Sequence, residues 1–392
     1  MKITLYLGSR GSAYGGAENT SAVLAAALHQ HHPVEIVSSL EGFSIDRLAS
    51  YSGVDLRGIT ARFVPFDRQP PVRTANPLAN LRRQREWNAR VSRGCDLFLN
   101  IGNVFPPFSQ APHAAIRIFF PWAESPYSKR HRGLGPARWR AEVRRAFHLR
   151  EWKQRMQTYD FKVANSRFTQ KWTKRFWGVD CEVIHPPVDL DFSPAEKASL
   201  IVSVGRFAVA GNLKKQLEMM QTFRRMTAAQ RAGWEYATLG GVLDSPADQA
   251  YFDSVVREGE GVGGRALANL PRAGLKQLME RAKIFWHAAG YGEDEEKNPG
   301  SAEHFGQSTV EAMAAGCVPV VINRGGQPEI VEHGVSGFIW DTLGELEDYT
   351  RRLVDDDALR QKMAAAARAR SAIFSRAAFA ERFLQLLGPV LH

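Results

Sequence analysis

A chain of 392 residues, 44% of them apolar and 23% charged, exceeds the ~250 to 300 residues at which one hydrophobic core stops growing, so two domains are expected and disorder is excluded. The net charge of +10 favours anionic partners such as nucleic acid, anionic lipid or phosphorylated small molecules, and carries no information about fold. Cys95, Cys181 and Cys317 fit neither a disulfide framework nor a zinc site, no run reaches the ~18 apolar residues of a membrane span, and MKITLYLGSR lacks the pattern of a secretory leader, which together predict a cytoplasmic location.

KITLYLG at 2–8 reads as a buried strand. A glycine-rich turn follows and opens a helix in which Val23, Leu24, Ala27 and Leu28 recur at helical spacing. VEIVSS (34–39) resumes as a strand, completing a βαβ unit. DLFLNIG (96–102), AAIRIFFP (114–121) and FKVAN (161–165) are further strands, the last leading into a helix that Ser166 is placed to cap. CEVIHPPVDLDFSP (181–194) is punctuated by proline, and a new alternation begins with SLIVSVGRF at 199–207. The boundary is therefore set near 196, giving domains 1–196 and 197–392. The second half predicts a helix around KKQLEMMQTFRRM, strands at WEYATLGG, KIFWHAA and CVPVVIN, and helices at LKQLMERA, STVEAMA and PEIVEHG. From about 355 to 392 the tail is Ala- and Arg-rich helix, free to cross back to the first domain. Strands alternating with helices predict an α/β protein of two doubly wound parallel sheets.

Three stretches carry chemistry. The first turn offers Gly8, Gly11, Gly15 and Gly16, and a glycine turn between strand and helix lets backbone N–H groups approach an anion. GSRGSAYGG matches neither the dinucleotide nor the phosphate-loop pattern, so a role as a tight turn alone stays open. In VGRFAVAGNLKKQ, Arg206 leaves the carboxyl end of a strand and Lys214 and Lys215 open the next helix. Ligands of doubly wound sheets sit outside those strand ends, where an arginine fork and a lysine suit a diphosphate in an interdomain cleft. In EHFGQSTVEAM (303–313), Gly306 and Ser308 place the helix start near Gln307. Glu303 is then in the preceding loop, Glu311 in the first turn or two, and the N–H groups of Phe305, Gly306 and Gln307 point out of the helix start. A helix dipole accounts for either carboxylate, while a pair flanking N–H donors also suits a polyhydroxyl ligand.

These residues resemble the retaining, nucleotide-sugar-dependent glycosyltransferases of group 1, built from two facing Rossmann-like domains (the GT-B fold). GGAENTSAVLAAAL, VANSRFTQKW, EVIHPPVD, SVGRF with KKQ, EHFGQSTVEAMAAGCVPVV and GGQPEIVEHGVSGFIW occur in that family's order, and Glu303 and Glu311 stand with seven residues between them. The resemblance implies that Glu303 contacts the donor sugar and that Glu311 accepts from the ribose. It gives Arg206 and Lys214 the diphosphate, with Lys215 as the alternative if the loop register shifts by one. Gly15 and Gly16 would approach the same phosphates, and the N–H groups of Phe305 to Gln307 would meet sugar or phosphate. No metal or other cofactor is expected, since the cations neutralise the leaving group and its oxygen can take the acceptor's proton. Asp189-Leu190-Asp191, a string like the metal motif of another fold, reads as turn chemistry.

The family's histidine in a His-Phe/Tyr-Pro string is replaced by Phe119-Phe120-Pro121, with His113 assigned one strand earlier and Trp122 and Glu124 as acceptor-side candidates. The implied partners are a nucleotide-sugar donor and a carbohydrate or lipid-linked acceptor of the cell envelope. The basic segment 128–157, with Trp139, Val143 and Phe147 along one face, suits an anionic membrane surface and hence a peripheral location. EDEEKNP (293–299) reads as a mobile acidic loop. A sugar-nucleotide epimerase and an inactive glycosyltransferase-like binder are the alternatives, and no nucleic-acid signature is present.

Overall fold

The computed structural model describes residues 1–8, 15–65, 86–102, 106–121, 139, 150, 152–210, 213–227 and 233–391. It divides into two compact units, one of residues 1–187 with 376–392 and one of residues 188–375. Gly11, Trp122, Glu124, Val143, Phe147 and most of the basic segment lie outside the described residues.

The first unit is a parallel sheet of β1 (Ile3–Leu7), β2 (Val34–Ser38), β3 (Thr60–Phe63), β4 (Leu97–Asn100), β5 (His113–Ile118), β6 (Phe161–Ala164) and β7 (Glu182–Val183). Its strand order is 3-2-1-4-5-6-7. β1 is buried throughout, and the two-residue period divides it between faces. Ile3, Leu5 and Leu7 join one core with helix α1 (Gly16–His29), whereas Tyr6 joins another with Phe98 and Trp152. Helices α2 (Ile45–Ser52) and α3 (Arg167–Trp177) begin at serine caps. The predicted cap is present, with Ser166 Oγ accepting from Thr169 N–H at 3.0 Å.

The second unit repeats the plan with β8 (Leu200–Val204), β9 (Glu235–Gly240), β10 (Gly264–Ala268), β11 (Ile284–His287), β12 (Val318–Ile322) and β13 (Phe338–Trp340). All are parallel, in the order 10-9-8-11-12-13. The helices are α4 (Gln216–Arg225), α5 (Pro246–Gly259), α6 (Arg272–Arg281), α7 (Gln307–Ala314), α8 (Gln327–Ile330), α9 (Leu343–Asp355) and α10 (Asp357–Ser371). On β11, Phe285 packs to one core and Ile284 and Trp286 to the other, so apolar cover lies on both faces, as predicted for a doubly wound sheet. The direction of strand order reverses between β1 and β4 in the first unit and between β8 and β11 in the second. Loops at such reversals are where these sheets bind ligands.

The closing helix α11 (Arg376–Leu391) returns to the first unit. Its Phe379, Phe383 and Leu387 recur every four residues and enter the core that holds Leu5 and Leu24. Beneath it, Arg117 of β5 is 1% exposed, with its guanidinium over the rings of Phe119 at 5.6 Å and Phe379 at 5.2 Å. None of its nitrogens has a hydrogen-bond partner among the described residues, and burial pushes its pKa down to about 9. Two ring faces offset only part of the desolvation of a cation. Arg117→Met, which keeps the volume, is therefore expected to stabilise the fold by about 1 to 3 kcal/mol, seen as a higher urea midpoint. A lower midpoint would mean that the rings compensate the charge fully. Among the described residues no helix is long and apolar enough to cross a membrane.

Candidate active site

The second unit assembles most of the predicted residues at the carboxyl ends of β8 and β11. Arg206 follows β8 and its side chain is exposed, with no ion-pair partner among the described residues. Its backbone is fixed from below by Gln216, a buried amide whose Nε2 donates to the carbonyls of Gly205 and Arg206, both at 2.9 Å. Gln216 was not singled out from sequence, where a glutamine after two lysines carries no signal.

Lys214 and Lys215 diverge. Lys215 adopts left-handed backbone with φ 59° at the N-cap of α4, a conformation that is uncommon without glycine and concentrates at functional turns. The Lys214 ammonium pairs with Glu303 Oε2, while the Lys215 ammonium lies 3.5 Å from Glu293 and 3.9 Å from Glu218. The acidic loop 293–299 is thus not the free segment that its composition suggests. Glu293 faces Lys215, and Glu295 accepts from Gly325 N–H at 3.1 Å.

Glu303 sits in the loop before α7, which begins at Gln307 with Gly306 as N-cap, as the sequence predicted. Gly306 has φ 119°, and a Cβ there would lie 2.3 Å from the Gln327 amide. The Glu303 carbonyl accepts from Gly326 N–H at 2.8 Å, and a Cβ on Gly325 would stand 2.1 Å from that carbonyl oxygen. The paired glycines of GGQPEIV are therefore the floor of the glutamate loop. The N–H groups of Gly306 and Gln307 have no acceptor among the described residues, and the Phe305 ring is buried against Phe374 at 5.5 Å.

Burial alone would raise the Glu303 pKa, but the Lys214 ammonium and the neighbouring His287 outweigh it and hold the carboxyl well below the usual range. His287, the last residue of β11, is 3% exposed and places Nε2 3.5 Å from Glu303 Oε2. Glu311 shows the opposite behaviour. Burial raises its pKa despite Arg272, whose Nη2 donates to Glu311 Oε1 at 2.8 Å and lies 3.8 Å from Asp189. His287 and Arg272 were both missed from sequence. Asp189 Oδ1 also accepts from Asp191 N–H at 3.2 Å, the turn read in Asp-Leu-Asp.

In the first unit, Gly15 caps α1 and donates its N–H to Glu18 Oε2 at 2.7 Å, with Gly16 as the first helical residue. Glu18 is 4% exposed, so that N–H already serves a buried carboxylate. His113 opens β5, at the opposite end of the same strand from Phe119. The strand starts one residue earlier than read, and His113 therefore faces Asp160 at 3.8 Å instead of belonging to a preceding strand.

Residues 191–370 match the family described as Glycosyl transferases group 1, and residues 14–192 match Glycosyltransferase Family 4. Among curated proteins, the chain is similar to a GDP-Man:Man(3)GlcNAc(2)-PP-Dol alpha-1,2-mannosyltransferase of Dictyostelium discoideum, with 27% identity over 240 residues, 56% of this chain and 44% of that protein. It is also similar to the Homo sapiens Alpha-1,3/1,6-mannosyltransferase ALG2, with 22% identity over 260 residues, 58% of each chain. The chain spans about half the length of the curated relatives it matches. Among solved structures, a glycosyltransferase from Rickettsia africae ESF-5 superposes with a TM-score of 0.70 at 14% identity, over 100% of this chain and 98% of that one. Anabaena Alr3699/HepE in complex with UDP-glucose superposes with a TM-score of 0.68 at 17% identity, over 100% of both chains. At such identities these structures show the fold alone, the GT-B fold of two Rossmann-like units.

Proposed function

Because residues 191–370 match the glycosyl transferases of group 1 and residues 14–192 match Glycosyltransferase Family 4, we propose that the chain is a hexosyltransferase that moves a sugar from a nucleoside-diphosphate sugar to a hydroxyl of a glycan or glycolipid, with retention and without a metal. The observation that carries this reading is the ionised Glu303 held by Lys214 at the strand-order reversal of the second sheet, with the exposed Arg206 on the same strand end. In the reaction, the bond from the anomeric carbon to the phosphate oxygen breaks and its electron pair stays on the diphosphate. The acceptor oxygen bonds the anomeric carbon, and its proton passes to the departing phosphate oxygen on the same face, which gives retention. Arg206 and Lys214 neutralise the diphosphate, where fixed charge lowers the barrier most. Lys215 stands ready on the adjacent residue, and the Gly306 and Gln307 N–H groups serve sugar or phosphate oxygens. The mannosyltransferase relatives and the UDP-glucose complex support a nucleotide-sugar donor and a glycan or lipid-linked acceptor, and the density of Lys and Arg in the sequence 128–157 is what supports approach to an anionic membrane surface.

A screen of nucleotide sugars for turnover, with uridine, guanosine and adenosine diphosphates in thermal shift, tests the reading. At least one diphosphate should raise the melting temperature, and no shift with any would count heavily against the donor site. Glu311→Ala is expected to weaken binding of that nucleotide by about 1.5 to 3 kcal/mol, the loss of a hydrogen bond to a charged group. Unchanged affinity by titration calorimetry would refute the ribose assignment.

A further inference from the structure

We infer that His287 is a positioning residue for sugar transfer, holding the Glu303 carboxylate in place through a hydrogen bond from its Nε2–H. The inference deepens the glycosyltransferase reading and rests on it. Glu303 belongs to a loop, and two groups reach its Oε2: the Lys214 ammonium and His287 Nε2 at 3.5 Å. Lys214 rides on a flexible stem and, in the proposed reaction, must also serve the diphosphate. His287 has no such freedom. It ends a central strand, pairs in register with Val321 of β12, and is 3% exposed.

Both ring nitrogens are buried without a formed hydrogen bond, an arrangement that native proteins rarely leave uncompensated. At 3.5 Å the contact with Glu303 is one short step from closing. Burial pushes the imidazole toward its neutral form, against the pull of the Glu303 carboxylate and with a smaller contribution from the Lys214 cation. A neutral ring carries one N–H, and the tautomer protonated at Nε2 is the one that donates to Glu303. Such a donor fixes the carboxylate without adding a charge that would compete with Lys214. When Lys214 turns to a bound diphosphate, His287 keeps Glu303 from following it.

The test compares His287→Met, which keeps bulk but has no donor, with His287→Gln, whose amide N–H reaches the Nε2 position. With the nucleotide sugar identified by turnover, His287→Met should lower kcat at least tenfold with KM for the donor within threefold, and His287→Gln should recover most of the rate. Equal rates in both variants, or a loss confined to KM, would overturn the assignment. Independently of activity, the imidazole nitrogen-15 signals of His287, identified by their disappearance in His287→Gln, should report the neutral Nε2–H form. They should also move when Glu303 is changed to Gln. Signals that ignore that change overturn the contact even if His287→Met does not fold. A wild-type protein that turns over no nucleotide sugar removes the glycosyltransferase reading and with it the catalytic role, while the nitrogen signals still decide whether the two side chains are coupled.

Discussion

Glu303→Gln is expected to lower the rate of sugar transfer about 10²- to 10³-fold, the loss typical when one preorganised electrostatic group is removed from a reaction centre. Affinity for the nucleoside diphosphate should change little. The substitution keeps the shape of the side chain and one of its two acceptor oxygens, and removes the charge. That charge is what the surroundings of Glu303 maintain, since burial would neutralise it and Lys214 and His287 hold it ionised. As positive charge develops on the sugar, a fixed carboxylate stabilises it, whereas an amide does not. Initial rates with the donor sugar and calorimetric titration with the diphosphate separate the two quantities. A variant with wild-type rate would move the chemistry elsewhere, and one with weakened diphosphate binding would place Glu303 on the phosphates.

In the proposed reaction the departing phosphate takes the acceptor's proton, so neither motif glutamate is assigned as its acid or base. Glu303 is driven toward the anion by Lys214 and His287. Glu311, on the second turn of α7, is driven toward the neutral acid by burial and is returned only partly by Arg272. Opposite shifts eight residues apart follow from what each end of the loop and helix faces: a lysine and a strand-end histidine at one, an exposed arginine from α6 at the other.

The features legible in sequence were local ones. Strand periodicity, the Ser166 cap and the α7 start at Gly306 each depend on a few neighbouring residues, and the structure has all three. The pairings were not legible, because they join residues far apart in the chain. Lys214 finds Glu303 across 89 positions and Arg272 finds Glu311 across 39, and nothing around Arg272 distinguishes it from other surface arginines. The separation of Lys214 from Lys215 depends on left-handed backbone at a residue that is not glycine, which no turn signal announces. The acidic loop illustrates the same limit. Its composition suggests solvent, yet Glu293 and Glu295 are held by Lys215 and Gly325, partners that only the assembled sheet supplies.

Lys214→Met is expected to damage the protein in two distinguishable ways. Transfer should fall because the diphosphate loses a neutralising cation, and stability should fall because Glu303 remains as a largely buried carboxylate without its main partner. Removing one member of a buried pair costs about 3 to 5 kcal/mol, and the lower figure applies here because about a fifth of each side chain stays in solvent. The sign of the pH dependence follows from the direction of the Glu303 shift. Its folded pKa lies below the unfolded value, so the wild-type contribution is complete above the ordinary carboxylate range, about 4.3, and is lost as pH falls through the folded value. In the variant, burial goes unopposed by Lys214 and raises that pKa, so protonation relieves the penalty. Urea midpoints of the two proteins should differ most at neutral pH, and the gap should narrow as the pH falls through the raised value of the variant and on toward the depressed wild-type value. Adding Glu303→Gln to Lys214→Met should recover part of the stability at neutral pH but none of the transfer. A stability gap independent of pH would show that Lys214 acts through packing and not through the charge of Glu303.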